Sequence, residues 1–204
     1  MQKSHHIFSA MQTFSNRLKK GRRLHMCSNI IKKLTKKKYG IMPSGMKPRG
    51  LWYGFDGSWS NWCAGNTFKC GKHFYEVGLD TSRILRIENL NQFEEFEKEY
   101  TCDSIFDRIF KEMGIKVPSI SPLMVRAFGP SAIDWPRLKK EYAGLEINPW
   151  MHSKHLESVW YYGWDCASGV IWDISAINQF QLFASYCPRE KKFIHNPSLG
   201  SRHP

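Results

Sequence analysis

A histidine on a short apolar segment, a glycine-led aromatic run and a crowd of tryptophans are the residues of this chain best suited to chemistry. His25 stands in Leu24-His25-Met26-Cys27-Ser28, where a neutral imidazole can donate one hydrogen bond and accept another at a pocket wall. About 25 residues later comes Gly50-Leu51-Trp52-Tyr53-Gly54, an aromatic strand entered through a glycine. An isolated histidine of this kind is ordinarily half-buried and inert. Most of the eight tryptophans are expected to build core, each tethering its N–H to a nearby acceptor. The concentration of all three features between Leu24 and Cys63 is more than core building requires, and two or three indoles are expected to line a pocket that stacks a flat ring.

The elements that must hold these residues are short. Leu24 to Cys27 and Gly50 to Phe55 read as strands, followed by a turn and a short helix that carries Trp59 and Trp62 on one face, capped by Ser58 or Asp56. His73 to Leu79, Ile84 to Ile87, Leu145 to Ile147, Val159 to Tyr162 and Val170 to Ile174 are further strand candidates. Helices are expected over Asn91 to Tyr100, where Phe93, Phe96 and Tyr100 form a stripe, over Ser104 to Met113, and after the capping residue Asp134. Ile30 to Leu34 fits either a strand or a short helix, and Pro118 to Pro130 reads as a loop. Strands and helices interleave without a regular βαβ order, which predicts an α+β fold. A basic arm over residues 1–22, flexible or weakly helical, one α+β domain over 23–187 and a polar tail over 188–204 complete the expected organisation.

Charge is the strongest compositional signal. Thirteen lysines and arginines precede the first acid, Asp56, whereas the rest of the chain is nearly balanced, so the formal net charge of +12 resides in the first quarter. Such a block repels itself and seeks polyanions, which makes RNA or DNA the natural partner, with Lys36, Lys37, Lys38, Lys47 and Arg49 as candidate phosphate contacts. The plain alternative is a solvated arm, and an acid-free organellar presequence is a third reading. No segment has the apolar length to span a bilayer, so a membrane is not expected as a partner. Six scattered cysteines suit a reducing, cytoplasmic setting. The irregular spacing of Cys63, Cys70 and His73 argues against zinc, and no metal is expected.

Leu24-His25-Met26-Cys27-Ser28 followed by Gly50-Leu51-Trp52-Tyr53-Gly54 resembles, over about 30 residues, the histidine-tyrosine branch of the ADP-ribosyltransferase superfamily. Trp52 stands where that branch prefers tyrosine, and Gly54 where it prefers a small hydroxyl or alanine. The resemblance implies a split, bent mixed or antiparallel sheet with flanking helices and NAD as co-substrate in the cleft. It further implies that His25 and Ser28 hold the ribose and the nicotinamide amide, that Trp52 or Tyr53 stacks on the nicotinamide, and that Gly50 opens the second strand of the site. A mono-ADP-ribosyltransferase acting on nucleic acid or an associated protein is the implied activity. A toxin, a defence factor or a viral effector restrained by a neutralising protein partner is the implied role.

Breaking the nicotinamide–ribose bond creates a cationic sugar, so a carboxylate must stand beside it. The family usually supplies a glutamate from a late strand. The late acids here are Glu146, Glu157 and Asp165, with Glu146 and Asp165 favoured equally as catalytic partners of His25. Phosphate-loop, dinucleotide-fingerprint, zinc-protease and serine-hydrolase motifs are missing from the chain. The competing reading is a non-catalytic nucleic-acid-binding module that uses the basic segment and exposed tryptophans.

Overall fold

The computed structural model describes residues 2–35, 47–66, 68, 71–102 and 132–196, and at its centre lies one mixed sheet of eight strands. Helix α1 (Gln2–Ser15) leads into β1 (Arg23–Cys27) and β2 (Leu51–Phe55), followed by α2 (Ser58–Gly65), β3 (His73–Leu79), β4 (Ile84–Ile87) and α3 (Leu90–Tyr100). A small ribbon of β5 (Thr101–Cys102) and β6 (Ala132–Ile133) precedes α4 (Trp135–Glu141), β7 (Gly144–Ile147), α5 (His152–Glu157), β8 (Ser168–Ile171), β9 (Ile177–Cys187) and β10 (Lys192–His195). The strand order is β10-β9-β3-β1-β2-β8-β7-β4, antiparallel throughout except for the parallel pair β4 and β7. The chain is therefore α+β, as its element pattern predicts.

Local chemistry explains several elements. α3 starts where the Asn89 side chain accepts from the Gln92 N–H, and it buries Phe93, Phe96 and Tyr100 at helical spacing. α4 starts where Asp134 accepts from the Arg137 N–H, with Pro136 in the first turn. α2 has no side-chain cap. Its N-terminus is set by Gly57 at φ 77°, where a β-carbon would also sit 2.6 Å from the Ser15 hydroxyl, while Ser58 donates to the Ala167 carbonyl instead of capping.

The seam between β1 and β2 is the feature that positions the site. Only two residue pairs join them, Arg23 with Phe55 and Leu24 with Gly54, whereas four join β1 to β3 and four join β2 to β8. The sheet is nearly cut into two halves at this line, yet the halves stay hydrogen-bonded through the short ladder and do not form two separate sheets.

Several expectations need correction. Of the two readings for the first residues, the helix is the one found, and it is not a detached arm: α1 buries Met11 and Phe14, and Phe14 packs on Phe74 and Phe193. Residues 188–204 include β10, whose Phe193 is buried against the same cluster. Val159 to Tyr162 forms tight turns, with the Tyr161 N–H bonded to the Ser158 carbonyl, and β9, the longest strand, was not expected. Ile30 to Leu34 is neither strand nor helix. The segments expected as a helix from Ser104 and a loop to Pro130 lie outside the described residues. Among the described residues no helix is long and apolar enough to cross a membrane.

Candidate functional site

Side chains alternate across a strand, so the register assigns each to a face of the sheet. Leu24, Met26, Trp52, Gly54, Ser168 and Val170 share one face; Arg23, His25, Tyr53, Gly169, Glu146 and Tyr75 share the other. The first face carries two core clusters. One is centred on Leu24, Phe74 and α1, and the other on Trp160, Trp164, Leu145 and Val170. Where the clusters meet over the seam they leave a cavity of about 310 Å³, walled by Trp52, Trp59, Trp164, Lys47, Asp165 and His25 among others.

His25 lies on the opposite face, beside the end of the short β1–β2 ladder, and borders the cavity there. Its Nδ1 is 2.6 Å from the Trp52 carbonyl oxygen, and its ring is 6.0 Å from that of Phe180 between centres. A carbonyl can only accept, so Nδ1 carries the proton and the neutral ring offers Nε2 as an acceptor. Burial pushes the His25 pKa below 6.5, only partly offset by the bond to Trp52. A depressed folded-state value means that the unfolded chain takes up the proton first as pH falls. Stability is therefore fully present above pH 6.5 and is lost as pH drops toward the folded-state value. The expected result is a urea midpoint lower at pH 5.5 than at pH 7.5, with a smaller difference in His25→Gln.

The Trp52 indole meets Trp164 edge-on at 4.8 Å, and the Lys47 ammonium lies 5.1 Å from the Trp52 ring centre. Lys47 also stands 3.7 Å from Asp165, a loose pair in which both side chains keep some solvent contact. Burial lowers the Lys47 pKa against the pull of Asp165. Cys166 is pushed up to about 11, chiefly by burial, and is a neutral thiol at pH 7. Trp164 is fully buried, and its indole N–H has no hydrogen-bond partner.

The two favoured carboxylates have different surroundings. Glu146 is 2% exposed and lies on the far face, where Arg23 Nε and Nη2 and the Tyr53 hydroxyl, at 2.7 Å, all donate to it; Arg86 stands 3.5 Å away. Tyr53 gets there by leaning across Gly169: a β-carbon at Gly169 would lie 2.4 Å from the Tyr53 hydroxyl oxygen. Burial raises the Tyr53 pKa well above 10, with Glu146 adding to the effect. Gly169→Ala is expected to force Tyr53 off Glu146 and cost about 1–3 kcal/mol, read as a shift of the urea midpoint. Asp165 lines the cavity; Glu146 does not.

Other expected site residues fall apart. Ser28 is exposed beyond the end of β1 and lines no part of the cavity. Gly50 makes no contribution to the wall; a β-carbon there would lie 2.4 Å from the Ile171 carbonyl, so glycine permits the close approach of β2 to β8. Arg49 is exposed, whereas Lys47 is turned into the cavity, away from the polyanion role expected of it. Lys36, Lys37 and Lys38 lie outside the described residues. Glu157 ends α5 and pairs with Lys154 at 3.2 Å. Trp59, Trp164, Cys166 and Ser168 are wall residues that the sequence reading did not assign to the site, and three of them fall in the dense Trp-Asp-Cys-Ala-Ser-Gly run. Compared with protein-family models, curated proteins and solved structures, the chain matches none.

Proposed function

We propose that the protein is an NAD-dependent ADP-ribosyltransferase whose cavity over the seam takes the nicotinamide–ribose end of NAD and whose acceptor is nucleic acid or a protein bound to it. One observation carries this reading: His25, Trp52 and Asp165, far apart in sequence, line a single cavity. A volume of about 310 Å³ is at the small end of ligand cavities, roughly 300–1,000 Å³, and suits half of a dinucleotide. The nearly split sheet is compatible with the expected transferase-like fold.

The residues divide the work on chemical grounds. Trp52 offers a face to the nicotinamide ring, and His25 Nε2, left as the acceptor of the ring by the Nδ1 bond to the Trp52 carbonyl, suits a ribose hydroxyl. As the glycosidic bond breaks, its electron pair leaves with nicotinamide and positive charge grows on the sugar, beside the Asp165 carboxylate. The acceptor atom then bonds to the anomeric carbon and releases its proton to solvent. Glu146, held by Arg23 and Tyr53, is assigned to the framework. The exposed Arg49 and the basic first quarter of the chain would steer a polyanionic acceptor.

A specific observation also favours the binding-module reading: Trp59 and Trp62 stack at 5.0 Å and 9°, and Phe68 beside them is 49% exposed, a surface on which bases can stack. One assay separates the two. Wild-type and Asp165→Asn protein are incubated with labelled NAD and, in turn, RNA, DNA and protein acceptors. Transfer by the wild type that is lost in the variant supports the enzyme; salt-sensitive RNA retention without NAD cleavage supports the module.

A further inference from the structure

Lys47 occupies a place with the marks of a cation site. Its ammonium has the Trp52 ring on one side, at 5.1 Å, and the Asp165 carboxylate on another, at 3.7 Å, within the cavity wall. An indole face and a carboxylate together select positive charge. The stem of Lys47 rests on Gly163, where a β-carbon would lie 2.7 Å from Lys47 Cε. Gly163 does not adopt a positive φ, so its backbone conformation does not require glycine, and a β-carbon there would crowd the flexible end of Lys47.

We propose that the slot between Trp52 and Asp165 is a pyridinium site, held in the free protein by Lys47 as an internal competitor that the cationic nicotinamide ring must displace. The identity of the ring rests on the transferase reading above; the cation site itself rests on the geometry of Lys47. Two cations cannot share one carboxylate and one indole face at this spacing, so binding of the ring drives the lysine out. The exchange is balanced in charge, since Asp165 keeps one positive partner before and after. A flat pyridinium covers more of the indole than an ammonium does and is more weakly hydrated, which gives the exchange its direction. A neutral ring brings no charge to replace that of Lys47 and gains nothing from Asp165.

The test titrates the protein with 1-methylnicotinamide, a pyridinium cation, and with neutral nicotinamide, following tryptophan fluorescence. Lys47→Met keeps the length of the side chain and removes its charge; it is expected to tighten 1-methylnicotinamide binding by about 3- to 10-fold while changing nicotinamide by less than about 2-fold. Gly163→Ala, which crowds the stem without removing the charge, is expected to shift cation affinity in the same direction and keeps the proposal testable if Lys47→Met folds poorly. Unchanged or weaker cation binding in the folded variants overturns the proposal. If the variants tighten cation binding but the wild type never cleaves NAD, the transferase reading falls and the cation site stands. If NAD is cleaved but the variants bind as the wild type does, the internal competitor falls and the transferase stands.

Discussion

Replacing Glu146 by alanine is expected to destabilise the fold by about 3–5 kcal/mol, the range for breaking a buried charged pair by removal of one partner. The Arg23 guanidinium, whose side chain is 18% exposed, would lose two acceptors, and the Tyr53 hydroxyl, held over Gly169, would lose its one. Glu146 raises the Arg23 pKa through hydrogen bonding and charge, against a burial cost that would then stand uncompensated. The three residues sit on β7, β1 and β2, on both sides of the seam, so their loss removes a tie where the backbone ladder supplies only two residue pairs. Urea denaturation at pH 7 measures the effect. A loss below about 1 kcal/mol would show that Arg23 and Tyr53 find other partners, and the framework role of Glu146 would then be wrong.

Asp165→Asn should do the reverse. Its pair with Lys47 is loose and partly solvated, so the change in stability should stay within about 1 kcal/mol. If this carboxylate faces the sugar cation, loss of its charge should lower the rate of NAD cleavage by about 10²–10³-fold, the scale seen when one preorganised electrostatic stabiliser is removed. Because the same carboxylate pairs with the ring cation of bound NAD and faces the sugar as the bond breaks, KM should rise as well as kcat fall. Steady-state cleavage of labelled NAD reads both. Activity within about 3-fold of wild type would remove Asp165 from the chemistry, and Glu146 would have to be reconsidered. The pair of variants makes the contrast sharp: one carboxylate is expected to govern folding and the other turnover.

The sequence alone determined the local pieces. β2 was legible because a glycine leads a run of aromatic and apolar residues, α3 because Phe93, Phe96 and Tyr100 recur at helical spacing, and α4 because Asp134 and Pro136 mark a helix start. These signals are carried by neighbours along the chain and need no partner from elsewhere. The docking of α1 was not legible because Met11 and Phe14 make sense only when β3 and β10 are present to receive them. The tryptophan-rich turns from Val159 were misread for a related reason: aromatic content signals burial, and burial does not distinguish a strand from a turn packed in the core.

For the site, the residue types around His25 and Trp52 were legible, but their arrangement was not. Tertiary structure decided that the ladder between β1 and β2 is two pairs long and that His25, on one face, borders the same cavity as an indole from the other. It also separated two late acids that were equivalent on paper. Gly169 lets Tyr53 reach Glu146 and close it off, whereas the turn before β8 leaves Asp165 in the cavity wall beside Lys47. Strand pairing, side-chain facing and desolvation all depend on contacts between residues tens of positions apart, and a local pattern of residue types does not encode them.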